Sequence, residues 1–309
     1  MADRKGRTKR GIFEELQLLT TEKTNPRTRG IDLASTVEIL ELMNAEDRTV
    51  ADAVRSAIPH IARAADLVAE SFRRGGRLVY VGAGTSGRLG VIDAAECPPT
   101  FGAAPGMVVG VIAGGRDTVF LSREGIEDDV AAAEKDVIDH GVCPSDTVVG
   151  ITASRRTPYV IKALETARRL GAKTVFLTCN DTADIEVDVQ INVVVGPEAI
   201  AGSTRLKAAT AQKMVLNMLS TAGMVKIGKV YENLMVDLKP TSEKLVERAK
   251  GIIVMLTGAG YDKAAELFER SGRNVKVSVV MAKMGIGREE AEKALERAGG
   301  FLARALGER

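Results

Sequence analysis

The stretch from Arg77 to Thr100, RLVYVGAGTSGRLGVIDAAECPPT, restricts the fold more than any other part of the chain. Its run Leu78-Val79-Tyr80-Val81 is apolar at every position, the pattern of a strand buried on both faces of a parallel sheet. The run leads into Gly82-Ala83-Gly84-Thr85-Ser86-Gly87, then Arg88 and an apolar helical stretch. A strand that turns through glycines into a helix start leaves backbone N–H groups free, and the helix dipole favours negative charge at the same point. The turn therefore reads as an anion cradle built from Gly84, Thr85 and Ser86. The segment closes on Glu96, set before Cys97-Pro98-Pro99. Two successive prolines predict a turn too stiff for ordinary helix, with a carboxylate held near the phosphate site.

Apolar runs and helical spans alternate from there on. Met107–Ala113 is the second run, followed by Gly114-Gly115 and a helical stretch to about His140. Thr147–Thr152 is the third, followed by a turn rich in Ser, Arg and Thr and a helix over Pro158–Leu170. Lys173–Thr178 and Val189–Val195 are the fourth and fifth, and a long helix fits Thr204–Val225. This order predicts an α/β fold with a doubly wound, mostly parallel five-stranded sheet, whose ligands bind at the carboxyl ends of the strands.

Residues 1–20 read as a disordered tail, and 21–238 as the α/β domain with an N-terminal arm and helices. The arm, 21–34 (TEKTNPRTRGIDLA), has a turn signal at Asn25-Pro26. Its hydroxyls and arginines are of the kind that touch a phosphorylated ligand, but from residues alone a solvated arm is the preferred reading. Ser35-Thr36-Val37-Glu38 is a capping box, and a helical pattern over Val50–Arg74 breaks or kinks at Pro59 and ends at Gly75-Gly76. Lys239-Pro240 marks a boundary, beyond which 239–309 reads as a small helical bundle punctuated by Gly258, Gly272, Gly285 and Gly299-Gly300. Val275–Val279 alternates like a strand, but with helical neighbours and no partner strand it is assigned to a helix. A piece this small is expected to pack on the α/β domain or on a partner subunit.

Composition narrows the chemistry. A formal net charge of +2 on 309 residues gives no reason to invoke nucleic acid or a membrane surface. The basic residues Arg4, Lys5, Arg7, Lys9 and Arg10 have no apolar segment behind them, so they are not a secretory signal. No apolar run approaches the roughly 18 residues of a membrane span. Cys97, Cys143 and Cys179 contain no Cys-x-x-Cys pair, and the two histidines, His60 and His140, sit in helical patterns. Zinc, disulfides and a Ser-His-Asp triad are all disfavoured, leaving carboxylates, lysines or hydroxyls for any catalysis. The chemistry asks for no metal or organic cofactor.

The loop matches G-x-G-x-x-G, the dinucleotide fingerprint. That fold also wants an acidic residue closing the second strand for a ribose hydroxyl. Here the strand ends in Ala113-Gly114-Gly115-Arg116, and Asp117 comes too late. Hydroxyls in the loop point to a phosphate monoester instead. Similar groups recur after the third run, at Ser154, Arg156 and Thr157, and before the long helix, at Gly202, Ser203, Thr204, Arg205 and Lys207. One such turn could be an ordinary helix cap. Three at one sheet edge suit a single phosphate on a small polar body.

With Ser154-Arg155-Arg156-Thr157-Pro158-Tyr159, the segment Gly82–Thr100 resembles the sugar isomerase (SIS) fold of phosphosugar proteins. More narrowly, the chain resembles the bacterial N-acetylmuramic acid 6-phosphate etherases, relatives of the glucokinase regulatory protein. Thr21-Glu22, Asn25-Pro26-Arg27-Thr28, Glu96-Cys97-Pro98-Pro99-Thr100 and Gly196-Pro197-Glu198 carry this narrower resemblance. So do Gly202-Ser203-Thr204-Arg205-Leu206-Lys207 and Asn233-Leu234-Met235-Val236-Asp237. The resemblance implies a cytoplasmic carbon–oxygen lyase that removes D-lactate from N-acetylmuramate 6-phosphate in cell-wall amino-sugar recycling. It implies elimination from the open-chain sugar followed by hydration, with glutamates corresponding to Glu96 and Glu127. Glu96 then protonates departing lactate and activates water, and Glu127 works at C2. Read from residues alone, Glu127 is as easily one of a solvated helix face with Glu124 and Asp128. The resemblance also implies a homodimer with its site near the subunit interface. Either the arm or Ser242-Glu243-Lys244 would reach across.

Arg155 and Ala209 depart from the family, which favours glycine at both positions. A non-catalytic sugar-phosphate sensor and an aldose–ketose phosphosugar isomerase are the competing functions, and a nicotinamide oxidoreductase trails them. Retention of Glu96 and Glu127, and the lack of a helix-turn-helix segment, weigh against the sensor.

Overall fold

The computed structural model describes residues 18–308. The expected tail lies outside the described residues up to position 17. Strands β1 (Leu78–Gly82), β2 (Val108–Ile112), β3 (Thr147–Thr152), β4 (Lys173–Thr178) and β5 (Val189–Asn192) form one parallel sheet in the order β2-β1-β3-β4-β5. Leu78 lies opposite Thr147, and Thr147 opposite Lys173. Every residue of β1 and β3 is buried, as expected of strands covered on both faces.

Among the described residues, seven α-helices accompany these strands, and several have a legible cause. The first, α1 (Thr36–Asp47), carries the capping box in which Ser35 and Glu38 satisfy each other's backbone N–H groups. The next two, α2 (Val50–Ser56) and α3 (Ile58–Arg73), part at Ala57, with Pro59 in the first turn of α3. Proline lacks only an N–H that is unsatisfied there anyway. The faces of α3 (Ile61, Ala64, Ala65, Val68, Phe72) are buried. Then follow α4 (Gly84–Phe101), α5 (Val130–Asp139), α6 (Pro158–Arg169) and α7 (Lys207–Val225). A Cβ on Gly150 of β3 would lie 2.6 Å from Leu164 and 2.7 Å from Val160, so glycine lets α6 pack directly on the strand.

Three expectations are corrected. Pro98 and Pro99 do not stop the helix; both lie inside the last turn of α4, which runs to Phe101. Proline's φ is itself helical, and near a helix end the chain loses only two bonds by keeping it. The turn closes with Gly102 N–H donating to the Pro98 carbonyl at 3.0 Å. The span from Gly115 to His140 is not one helical stretch. It is a loop with short 3-10 turns at Arg116–Val119 and Ile126–Asp128, and α5 begins only at Val130. The N-terminal arm is not solvated along its length: Thr21, Asn25 and Thr28 are buried. Asn25 Nδ2 donates to the Pro197 carbonyl at 3.3 Å, and Thr28 Oγ1 to that of Ala199 at 2.8 Å.

Close packing divides the chain into two units, one of residues up to Asp93 with Val109–Leu219, the other of Ala94–Val108 with Ser220–Arg309. Helices α8 (Glu243–Thr257), α9 (Tyr261–Arg270), α10 (Val275–Met284), α11 (Arg288–Arg297) and α12 (Leu302–Ala305) lie in the second. The ambiguous Val275–Val279 is helical, capped by the Asn274 side chain. This unit's core includes Val236, Ile253, Phe268, Val279, Val280 and Leu302. Burial of Val236 explains why the unit draws in chain well before Lys239-Pro240. Nearby, the buried Lys276 ammonium lies 2.9 Å from Asp237 and donates to the Gly300 carbonyl at 2.9 Å.

A buried charge cluster fastens the arm. Glu46 of α1 is 2% exposed, and Lys207, at the start of α7, is fully buried. Lys207 Nζ lies 2.6 Å from Glu46 Oε2 and donates to the Val195 carbonyl at 2.9 Å. Arg27 grips the same carboxylate with its Nε and Nη2, the latter at 2.8 Å. The Arg27 guanidinium, with help from Lys207, holds the Glu46 carboxyl at about 2, against the burial that would raise it. Removing one partner of a buried pair strands the other, so Glu46→Ala should lower the unfolding free energy by about 3–5 kcal/mol at neutral pH. Because the folded pKa is depressed, Glu46's contribution is complete above the ordinary carboxylate range and fades as pH falls toward 2. Denaturant melts of wild type and variant should therefore converge between pH 5 and 2.

Candidate functional site

The sheet order reverses beside β1: the chain leaves β1 for β2 on one side and then continues through β3, β4 and β5 on the other. Ligands of such sheets bind outside the carboxyl ends of the strands at this switch. The two loops that meet there follow β1 and β3, and both were singled out by their hydroxyls.

The first loop is tight. A Cβ on Gly82 would stand 2.7 Å from the Gly87 nitrogen, and one on Gly87 would stand 2.6 Å from the Gly82 carbonyl oxygen. Gly84 opens α4 at φ 54, a left-handed conformation that glycine adopts without strain. Thr85 is half-buried. Ser86 is buried, and its hydroxyl donates to Gln212 Oε1 of α7 at 2.9 Å.

The second loop is held from within and from behind. Thr157 Oγ1 lies 2.7 Å from Thr152 Oγ1, and Ser154 Oγ lies 3.4 Å from it. Ser154, Arg156 and Thr157 are all half-buried. The Asn180 side chain donates to the Ala153 carbonyl at 2.8 Å and to Thr21 Oγ1 at 3.2 Å, and accepts from Thr20 N–H at 2.7 Å, joining the loop to the start of the arm. Arg155 sits at φ 60, and its Nη1 donates to the Thr182 carbonyl at 3.2 Å. Arginine thus occupies a left-handed backbone position in the middle of the loop.

The third turn differs from expectation. Lys207, expected among the anion-binding groups, points into the Glu46 ion pair instead. The start of α7 is already filled: the buried Glu198 carboxylate accepts from the N–H groups of Lys207 and Ala208, each at 2.9 Å. Burial pushes the Glu198 carboxyl up, opposed by those two backbone donors and by the Lys207 charge. Ser203 and Thr204 are half-buried in the turn before it. Periodicity could not have found Glu46, the one buried residue of a weakly amphipathic helix whose Val37 and Leu40 are exposed. Glu198 stands nine positions ahead of the α7 start whose N–H groups it takes, outside the reach of a capping pattern.

The two candidate acids are both exposed. Glu96 is on α4, in the unit that includes Ala94–Val108. Glu127 is in the other unit, in the 3-10 turn after Gly125, whose φ of 80 interrupts the chain. Glu124 and Glu127 therefore do not share a helix face. Arg88 of α4 donates to the Val119 carbonyl at 2.8 Å and to Ser122 Oγ at 3.1 Å. Thr118 Oγ1 donates to the Ala113 carbonyl at 2.8 Å, so the loop carrying Glu127 is anchored at its near end. Among the described residues, no group of three or more His, Cys, Asp or Glu side chains is placed to hold a metal ion. No helix among them is long and apolar enough to cross a membrane.

Residues 60–168 match the N-terminal SIS domain of the glucokinase regulatory protein. An N-acetylmuramic acid 6-phosphate etherase of Clostridium beijerinckii is 49% identical over 295 residues, covering 95% of this chain and 97% of its own. A second etherase of the same name, from Lactiplantibacillus plantarum, is 52% identical over 94% of this chain and 99% of its own length. The chain belongs to the N-acetylmuramic acid 6-phosphate etherase family. Members of that family are carbon–oxygen lyases, and the chain is an enzyme of that class.

Within this etherase, the two departures have different physical weight. Ala209 is buried inside α7, where alanine is favoured over glycine by about 1 kcal/mol. Arg155 bears a left-handed strain of about 1–2 kcal/mol. Replacing it with glycine removes that strain but adds unfolded-state entropy worth about 0.4–1 kcal/mol and deletes the bond to Thr182. Arg155→Gly should leave the unfolding free energy within about 1 kcal/mol of wild type, whereas Arg155→Val should lower it by about 1–2 kcal/mol, since branched side chains tolerate the left-handed region worst. Denaturant melts of the two variants test this ordering.

Proposed function

We propose that the chain cleaves the D-lactyl ether of N-acetylmuramate 6-phosphate, giving N-acetylglucosamine 6-phosphate and D-lactate in the cytoplasm. The observation that carries the reading is near-50% identity, over almost the whole length of both chains, to proteins named for this reaction. The phosphate is assigned to Gly84, Thr85, Ser86, Ser154, Arg156 and Thr157, whose loops flank the switch between β1 and β3. Ser203 and Thr204 are secondary, because Glu198 occupies the helix start behind them.

The chemistry follows from the open-chain sugar. Its aldehyde acidifies the C2 hydrogen, so a positioned carboxylate, assigned as Glu127, can remove that proton. The C3–O bond then breaks, and Glu96 protonates the departing lactate oxygen. Glu96, now a carboxylate, takes a proton from water as the water adds at C3, and C2 is reprotonated to give the product. Overall one water is consumed and no electrons leave the substrate. Both carboxyls lie exposed on segments that follow β1 and β2, which suits groups that must meet a substrate. Exposed Leu33, Val37, Leu40, Ile92, Phe120 and Leu121 are more apolar surface than a monomer needs, which supports the assignment of a homodimer.

D-lactate release from N-acetylmuramate 6-phosphate tests the activity, and a folded protein that releases none at any pH would overturn it. Glu96→Gln and Glu127→Gln should each lower kcat by about 10²–10⁴, the range for losing a general acid or base. In light scattering the wild type should have twice the mass of the chain, and Leu40→Asp with Phe120→Asp should shift it toward the monomer.

A further inference from the structure

Gln212 lies in the middle of α7, 1% exposed, in a stretch where its neighbours Ala208, Ala211, Val215 and Leu216 are buried and apolar. Its Oε1 accepts the Ser86 hydroxyl at 2.9 Å. Its Nε2 is buried and finds no partner among the described residues. A buried N–H left without an acceptor keeps its full desolvation cost, and such donors are rarer than underused carbonyls. The contact also has the wrong sense for a phosphate site. Ser86 sits in the first turn of α4 inside the glycine loop, yet its one proton is turned away from the loop and given to Gln212.

We infer that Gln212 is a positioning residue that aims the Ser86 hydroxyl, and that the arrangement described is the resting one. A half-turn of the carboxamide exchanges its two ends. Nε2 then donates to Ser86 Oγ, and the Ser86 proton is released to an oxygen of the bound phosphosugar. The costly orphan N–H is replaced by an underused carbonyl, and the two hydrogen bonds run in one direction, each polarising the next toward the anion. No covalent bond changes and no proton is transferred; only donor directions reverse. The half-turn also requires no opening of the core, because the carboxamide keeps its shape. This inference rests on the reading of the Gly82–Gly87 loop as the phosphate site.

The test is calorimetric binding of N-acetylglucosamine 6-phosphate to wild type, Ser86→Ala, Gln212→Met, Gln212→Glu and the double variant Ser86→Ala/Gln212→Met. Gln212→Met should weaken binding about tenfold and raise KM for lactate release by the same factor with kcat little changed. Gln212→Glu can only accept once ionised, so at a pH above the raised range of a buried carboxyl it fixes the Ser86 proton inward and should weaken binding more than Gln212→Met. In the Ser86→Ala background, Gln212→Met should add less than twofold, because its effect acts through Ser86. Equal losses from Gln212→Met in both backgrounds would make Gln212 a merely structural residue and overturn the inference. So would unchanged binding by Gln212→Met while Ser86→Ala binds weakly, an outcome that leaves the loop assignment standing. Unchanged binding by Ser86→Ala would remove the loop hydroxyl from the phosphate site and the inference with it. Should the α7 variants fail to fold, the wild-type glutamine side-chain amide resonances decide: one pair should shift as N-acetylglucosamine 6-phosphate saturates, and none moving overturns the inference.

Discussion

Direct pairing of β1 with β3 is the constraint on which the sheet domain depends. It sends the chain outward in two directions from one place, and so leaves two strand ends side by side with their following loops free to diverge. Everything assigned to phosphate recognition in that domain follows from this. The glycines of the first loop are there because Gly82 and Gly87 nearly touch. That contact brings the start of α4 directly onto the end of β1, where its N–H groups point outward. The second loop can be shaped by short hydroxyl bonds among Thr152, Ser154 and Thr157 only because β3 ends beside it.

The arm and the ion cluster serve that geometry from behind. A carboxylate and an ammonium would each be costly to bury alone, and with the exposed Arg27 guanidinium they fix three segments distant in sequence: the arm, α1 and the start of α7. Asn180 does the same for the second loop with neutral groups, taking bonds from Thr20 and giving one to Ala153. Polar residues of the arm are therefore part of the domain's interior order.

The five strands were legible because uninterrupted apolar runs between glycine turns have few other uses, and the capping box at Ser35 announced α1 in four residues. The phosphate loop was legible for the same reason: its spacing serves backbone geometry before it serves chemistry. Proline misled at α4, since the rule against it describes helix interiors and weakens over a last turn. Lys207 misled because composition cannot tell a lysine that meets an anion in solvent from one that meets Glu46 across 161 positions of sequence. Glu127 could be placed only by the left-handed Gly125, which a charge pattern over Glu124, Glu127 and Asp128 conceals.

The carboxylate that closes the start of α7 has a consequence for what the sheet edge can accept. Two long helices begin after strands of this sheet, and in an open fold both would attract anions. Glu198 uses up the N–H groups of one and adds negative charge to it. With the phosphate assigned to the α4 loop, the two helix starts are then unequal, because the first N–H groups of α7 are already taken from within the protein. On that assignment a ligand with one phosphate and an uncharged body is accommodated, whereas a bisphosphate would find no second helix start with those groups open to it.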